Sequence, residues 1–221
     1  MSERDEMLKI YGRATSSNVQ AVMWLVGELG LTHERIDKGH VHGGLDDPEF
    51  RRINPHGVVP AMKDGDVEMF ESAAILRYLA AKYGAGTSFW NEDPAKRGRA
   101  DSWAEWGKTT YGPAFSGPIF WARVRTPAKN RNQAMLQRAV QQFEALLLRV
   151  GMALEDKPFI VGDDLTLADI VIGHLLYRYY DIDIQRAERP RARAYYERLA
   201  ERQAFRDHVM VSYDSLRAEG A

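Results

Sequence analysis

Four short clusters carry the side chains suited to chemistry: Ser16-Ser17-Asn18, the pair His40 and His42, Val58-Val59-Pro60, and Glu71-Ser72. The 221 residues include no cysteine. That removes disulfides, thiolate metal sites and a cysteine nucleophile together. Thiol or redox chemistry in this chain must therefore take its sulfur from a ligand. Ser16 and Ser17 stand where a helix opens, and read alone they are N-caps. Glu71 and Ser72 open another helix and read alone in the same way. His40 and His42 suggest a metal pair, but with no third ligand nearby and no cysteine, no metal is expected. Pro60 cannot donate to a sheet ladder, so it belongs at an edge or bulge. It is either an ordinary edge proline or the site of a cis bond that turns backbone groups outward to pair with an extended peptide.

These clusters need elements to position them. Residues 8–11 alternate and end at Gly12, as a short strand does. Val19 to Leu29 places Val22, Leu25, Val26 and Leu29 on one helical face, and Gly30 stops it. Residues 33–37 form a second strand, and strand, helix, strand implies parallel pairing. Asp47-Pro48 starts a short helix, and Asn54-Pro55-His56-Gly57 breaks it. Residues 58–62 read as a strand interrupted by proline, Asp64-Gly65 as a hairpin turn, and 67–70 as the return strand. A helix then runs from Glu71-Ser72 to Gly84. Beyond it no strand is expected. Pro94 starts a long helix, which Gly112, Pro113, Gly117 and Pro118 bend or break. Further helices are expected over 128–150, Thr166 to Tyr180, 189–201 and 203–217. The layout is a front α/β domain over 1–84, a linker over 85–92 and an all-helical domain over 93–221.

Composition narrows the function classes. Hydrophobic residues make up 45%, enough for a core, and the net charge is −1. Nucleic acid is not an expected partner. The Arg-rich stretch 186–206 is interleaved with acids, as on a solvated helix face. The N-terminus is polar and mixed in charge, unlike a secretory signal, and no apolar run reaches the roughly 18 residues of a membrane span. The expected address is the cytoplasm, away from the membrane.

The order β-α-β-α-β-β-α followed by helices resembles the glutathione transferases. The matching pieces are Ser16-Ser17-Asn18-Val19, Asn54 to Pro60, Asp64-Gly65-Asp66, Phe70 to Ile75, and Leu165-Thr166-Leu167-Ala168-Asp169. The opening is most similar to serine-type members, the phi and theta-like branches, with features of the nu-type enzymes. The resemblance implies a thioredoxin-like front domain that binds glutathione, a helical domain that binds the second substrate, and a homodimer. It implies a cis Pro60, with Val59 pairing the cysteinyl backbone of glutathione, and Glu71 and Ser72 gripping its γ-glutamyl end. Lys38, His40 and His42 are candidates for the glycyl carboxylate. At Val58 the serine-type relatives often carry a polar contact that this chain lacks.

The chemistry so implied is ionisation of the glutathione thiol. A hydroxyl aimed at the sulfur gives a charge-assisted bond of about 1.5–3 kcal/mol, which lowers the thiol pKa by roughly one to two units. Ser16 is the first candidate donor, Asn18 the second and Ser17 the third, while Tyr11 reads as core. Trp106, Tyr111, Phe115 and Phe120 are expected to line an aromatic pocket for a small electrophile. Two alternatives share the scaffold: a glutathione-dependent disulfide or peroxide reductase, and a binding module without catalysis. Thr166 and Asp169 fit a capping box, whose loss is expected to cost ~1 kcal/mol or more.

Overall fold

The computed structural model describes residues 7–219, so most of the polar N-terminal stretch lies outside the described residues. Strand β1 (Leu8–Tyr11) buries Leu8 and Ile10 and turns Lys9 and Tyr11 the other way. It pairs in parallel with β2 (His33–Ile36) and antiparallel with β3 (Ala61–Asp64), which pairs with β4 (Val67–Phe70). The sheet order is β2-β1-β3-β4. Helices α1 (Ser17–Glu28), α2 (Pro48–Ile53) and α3 (Ser72–Tyr83) complete the front domain. The expected strand over 58–62 begins instead at Ala61, after the proline, because the ladder needs the N–H that Pro60 lacks.

Asp64 ties the hairpin to α3. Its buried carboxylate accepts from the hydroxyls of Tyr78 and Tyr83 and from Lys82 Nζ at 2.8–2.9 Å. Burial alone would raise its pKa, yet these donors hold it below the usual carboxylate range.

The helical part opens with α4 (Pro94–Trp106), capped by Asp93. The glycines and prolines expected to bend or break this helix do not end it. It continues through π-helical turns at Gly107–Tyr111 and Ser116–Arg125 that flank α5 (Gly112–Phe115). Pro113 and Pro118 have no N–H to give, and Gly112 N–H reaches back five residues to Gly107 O. The ladder widens by one residue and the helix survives. Next come α6 (Gln133–Ala153), α7 (Leu167–Gly173), α8 (Leu176–Asp181), α9 (Pro190–Ala200) and α10 (Gln203–His208). Thus the helix expected from 128 starts after its cap Asn132. The one expected over 166–180 is interrupted at His174-Leu175, and the last is a short helix plus a 3-10 turn at Asp214–Leu216.

One apolar core runs through both parts. Trp24 of α1 meets Phe205 of α10 edge-on at 4.8 Å, and Arg202 clamps Glu28 with two bonds of 2.5 and 2.7 Å. Asp169 is wholly buried and does more than cap α7. Its carboxylate accepts from Ile160 N, Thr166 N, the Thr166 hydroxyl and the Tyr195 hydroxyl at 2.7–3.0 Å. That network joins the preceding loop, α7 and α9.

Candidate active site

The turn from β1 into α1 is set by Gly12, with φ of +149°. A Cβ there would stand 2.4 Å from Val19 Cγ2 and 3.1 Å from Val59 Cβ, so only glycine lets the chain turn this tightly. Ser16 is the N-cap residue of α1, but its side chain makes no capping bond. The turn is held instead by Ser16 N–H to Arg13 O and by the Gln20 amide to Ala14 O. The Ser16 hydroxyl is left for another acceptor. Ser17 and Asn18 begin the helix.

A second wall comes from the segment before β3. Buried Asn54 donates to Val58 O at 2.7 Å and accepts from His56 N at 3.1 Å. This fixes the loop that ends in the cis Val59–Pro60 bond. Val58 is half exposed, whereas Val59 packs between the two apolar clusters. Tyr11, expected in the core, is only partly buried and packs against Phe50 on this side. Glu71 precedes α3 with φ of +67° and ψ of 114°, a conformation that a side chain rarely adopts. Its carboxylate is exposed, and the next residue, Ser72, is buried. Strain of this kind gathers at ligand clamps.

Lys108 joins the two walls, and sequence reasoning missed it. Its ammonium donates to Asn18 Oδ1 and to Ser72 Oγ, both at 2.8 Å. Two of its three N–H groups are so engaged and one remains. With Oδ1 accepting from Lys108, the Asn18 amide keeps its NH2 as a donor. Burial pulls the Lys108 pKa down while Glu71 and Glu105 push it up. A lone lysine in a polar helical turn carries no local signal. The clue is its neighbour Gly107, where a Cβ would meet Val171 at 2.8 Å, so the helix there lies close against α7.

Between the start of α1 and the helical part lies a cavity of about 290 Å³, lined by Ser17, Asn18, Lys108, Phe115, Phe120 and Trp121, with His174 and Arg178 at its floor; Ser16, Val59, Glu71 and Ser72 lie outside its lining. Of the four aromatics expected to face a substrate, Phe115 and Phe120 line it. Trp106 and Tyr111 do not. Because the helix stays continuous, Tyr111 turns into the core 4.7 Å from Phe143, and Trp106 packs between Trp103, which it meets edge-on, and Tyr111. Burial drives the Tyr111 hydroxyl well above its usual pKa. His174 is pushed down to about 3, first by burial and then by the charge of Lys108. Its ring is neutral, with Nδ1–H on Ile170 O at 3.1 Å.

The loop after β2 supplies the remaining candidates. Lys38 is occupied by Asp47. His42 lies 4.0 Å from Asp37. His40 is exposed, and its pKa is lowered by desolvation and by Arg13 and Arg125.

Comparison with known proteins supplies the family. Residues 10–88 match the family model "Glutathione S-transferase, N-terminal domain" and residues 133–198 match "Glutathione S-transferase, C-terminal domain". Glutathione S-transferase GstB of Escherichia coli (strain K12) is 34% identical over 93% of this chain and 99% of its own length. Glutathione S-transferase 3 of Zea mays is 31% identical over 91% of this chain and 93% of its own. Among solved structures, the theta class glutathione S-transferase of Xanthomonas axonopodis pv. citri with glutathione bound superposes with a TM-score of 0.88. It is 37% identical, covering 94% of this chain and 99% of that one.

Proposed function

The chain belongs to the glutathione S-transferase family, and from that premise we propose that it ionises the glutathione thiol at the N-terminus of α1 for attack on a small electrophile in the adjoining cavity. One observation carries this reading: the start of α1, the start of α3 and the Lys108 ammonium converge at one end of that cavity.

In this reading the γ-glutamyl end lies at Glu71 and Ser72, with its ammonium on the Glu71 carboxylate and its carboxylate at the α3 N-terminus. The cysteinyl backbone pairs with Val59, next to Pro60, and the glycyl carboxylate lies toward His40 and His42. The sulfur then falls beside Ser16, Ser17 and Asn18. The Ser16 hydroxyl and the Asn18 amide donate to the thiolate, and α1 and Lys108 add positive potential. The thiol proton goes to solvent. Sulfur bonds to the electrophilic carbon, and the leaving group departs with its electron pair. Phe115 and Phe120 hold the apolar part of the electrophile.

Titrating thiolate absorbance of glutathione with and without protein tests this. A bound thiol with an unshifted pKa overturns it. A conjugation assay run beside a disulfide-reduction assay separates transfer from reduction. The same reading makes the protein a cytoplasmic homodimer working in detoxification, which light scattering and fractionation would check. No helix among the described residues is long and apolar enough to cross a membrane.

A further inference from the structure

The floor of the cavity carries a charge that the transfer chemistry does not use. Arg178 of α8 is only 4% exposed and lines the cavity beside the turn that leads into α1. One amino group donates to Thr15 O at 2.7 Å, while Nε–H is buried without an acceptor. Its guanidinium sits 4.5 Å from the Phe120 ring and 5.9 Å from the Tyr213 ring, so an aromatic wall holds it in place. The groups whose charge it feels include two more arginines, Arg13 and Arg125. Those two also repel each other and His40. Arg125 lies over Trp121, itself a cavity residue, at 5.5 Å.

This grouping is not a by-product of composition, since acids outnumber Lys and Arg by 31 to 30 in the chain. Several other arginines of this chain meet carboxylates, as Arg202 meets Glu28 and Arg77 meets Asp101 and Glu105, whereas Arg131 and Arg186, like Arg178, meet only backbone carbonyls. A buried guanidinium with a free donor and like charges around it is costly until an anion joins it. Arginine's planar fork suits a carboxylate or sulfonate.

We propose that the second substrate is an anionic electrophile, a flat molecule whose carboxylate or sulfonate is anchored by Arg178, with Arg13 and Arg125 drawing it in. The inference rests on the transferase reading and sharpens it: the pocket selects for negative charge as well as for an apolar ring. With 4-chloro-3-nitrobenzoate, the thiolate forms a C–S bond at the chlorine-bearing carbon, the C–Cl bond breaks and chloride leaves with the pair. The carboxylate is unchanged and serves only as a handle.

The test compares 4-chloro-3-nitrobenzoate with its neutral amide. Each kcat/KM is divided by the uncatalysed rate with glutathione. The expected ratio favours the anion by roughly tenfold or more, the factor that a charge-assisted hydrogen bond carries. In Arg125→Met and Arg178→Met the ratio falls several-fold; being a ratio, it cancels any general loss of activity. Should Arg178→Met not fold, Arg125→Met still decides. Turnover of both compounds with equal normalised efficiency overturns the anion preference and leaves the transferase standing. A ratio unmoved in the folded variants overturns the assignment to these arginines. Absence of glutathione binding removes the underlying reading and this inference with it.

Discussion

The Lys108 ammonium lies 2.8 Å from the side-chain oxygen of Asn18, ninety residues earlier in the chain. This contact brings a helical-domain charge to the end of α1, where the sulfur of glutathione is proposed to sit. Replacing it by Lys108→Met is expected to raise the pKa of the bound thiol by about one unit, near the loss of one charge-assisted contact. Thiolate absorbance against pH reads this directly. A titration curve unchanged from the parent would mean that Lys108 only braces the two helices.

Ser16→Ala is expected to raise the same pKa by roughly one to two units, since its hydroxyl makes no cap bond and is proposed to donate to the sulfur. Stability should hardly change, for the same reason. If instead the denaturation midpoint falls and the thiol titrates normally, Ser16 is structural.

Glu71 separates backbone from side chain. Glu71→Ala and Glu71→Gly both delete the carboxylate, so both should weaken glutathione binding at least tenfold by calorimetry, the scale of a charge-assisted bond. Only glycine relieves φ of +67°, so Glu71→Gly should be more stable than Glu71→Ala by about 1 kcal/mol. Equal denaturation midpoints would show that the backbone there is unstrained.

Asp169→Ala strips four donors of their acceptor. A buried unsatisfied donor costs about 1–3 kcal/mol, so a loss of roughly 3 kcal/mol or more is expected, beyond a simple cap. Glutathione affinity of the folded fraction should match the parent. Urea unfolding gives the first quantity and calorimetry the second; a loss below 1 kcal/mol would refute the network.

His174 makes stability depend on acid. Its pKa is about 3 when folded and 6.5 when free. Between those values the unfolded chain binds the extra proton, so stability falls as pH drops from about 6.5 toward 3, by up to roughly 1.4 kcal/mol per unit from this group. His174→Gln should flatten that limb between pH 6 and 4. Parallel slopes for variant and parent would remove His174 as the source.

Much of the architecture is local and therefore legible in the sequence. Alternation in Leu8–Tyr11, the hairpin signal at Asp64-Gly65 and the stripe Leu136, Val140, Phe143, Leu147 each depend on neighbours within a turn or two. Thr166 and Asp169 announce their helix start for the same reason. The clusters at Ser16, Pro60 and Glu71 were visible because each punctuates an element. Prolines misled twice: Pro60 delayed a strand, and Pro113 and Pro118 widened a helix instead of ending it.

What only the tertiary structure decided depends on distance along the chain. Lys108 reaches Asn18 across ninety residues and Arg178 reaches Thr15 across 163. No periodicity encodes such meetings; they follow from how the helical part closes over α1. The same closure turned Tyr111 into the core and left Phe115 and Phe120 at the cavity, although all four expected aromatics share one helical segment. Residue type and spacing fixed which elements form and where each cluster sits on them. Packing between distant elements fixed which side chains meet the cavity and what charge it carries.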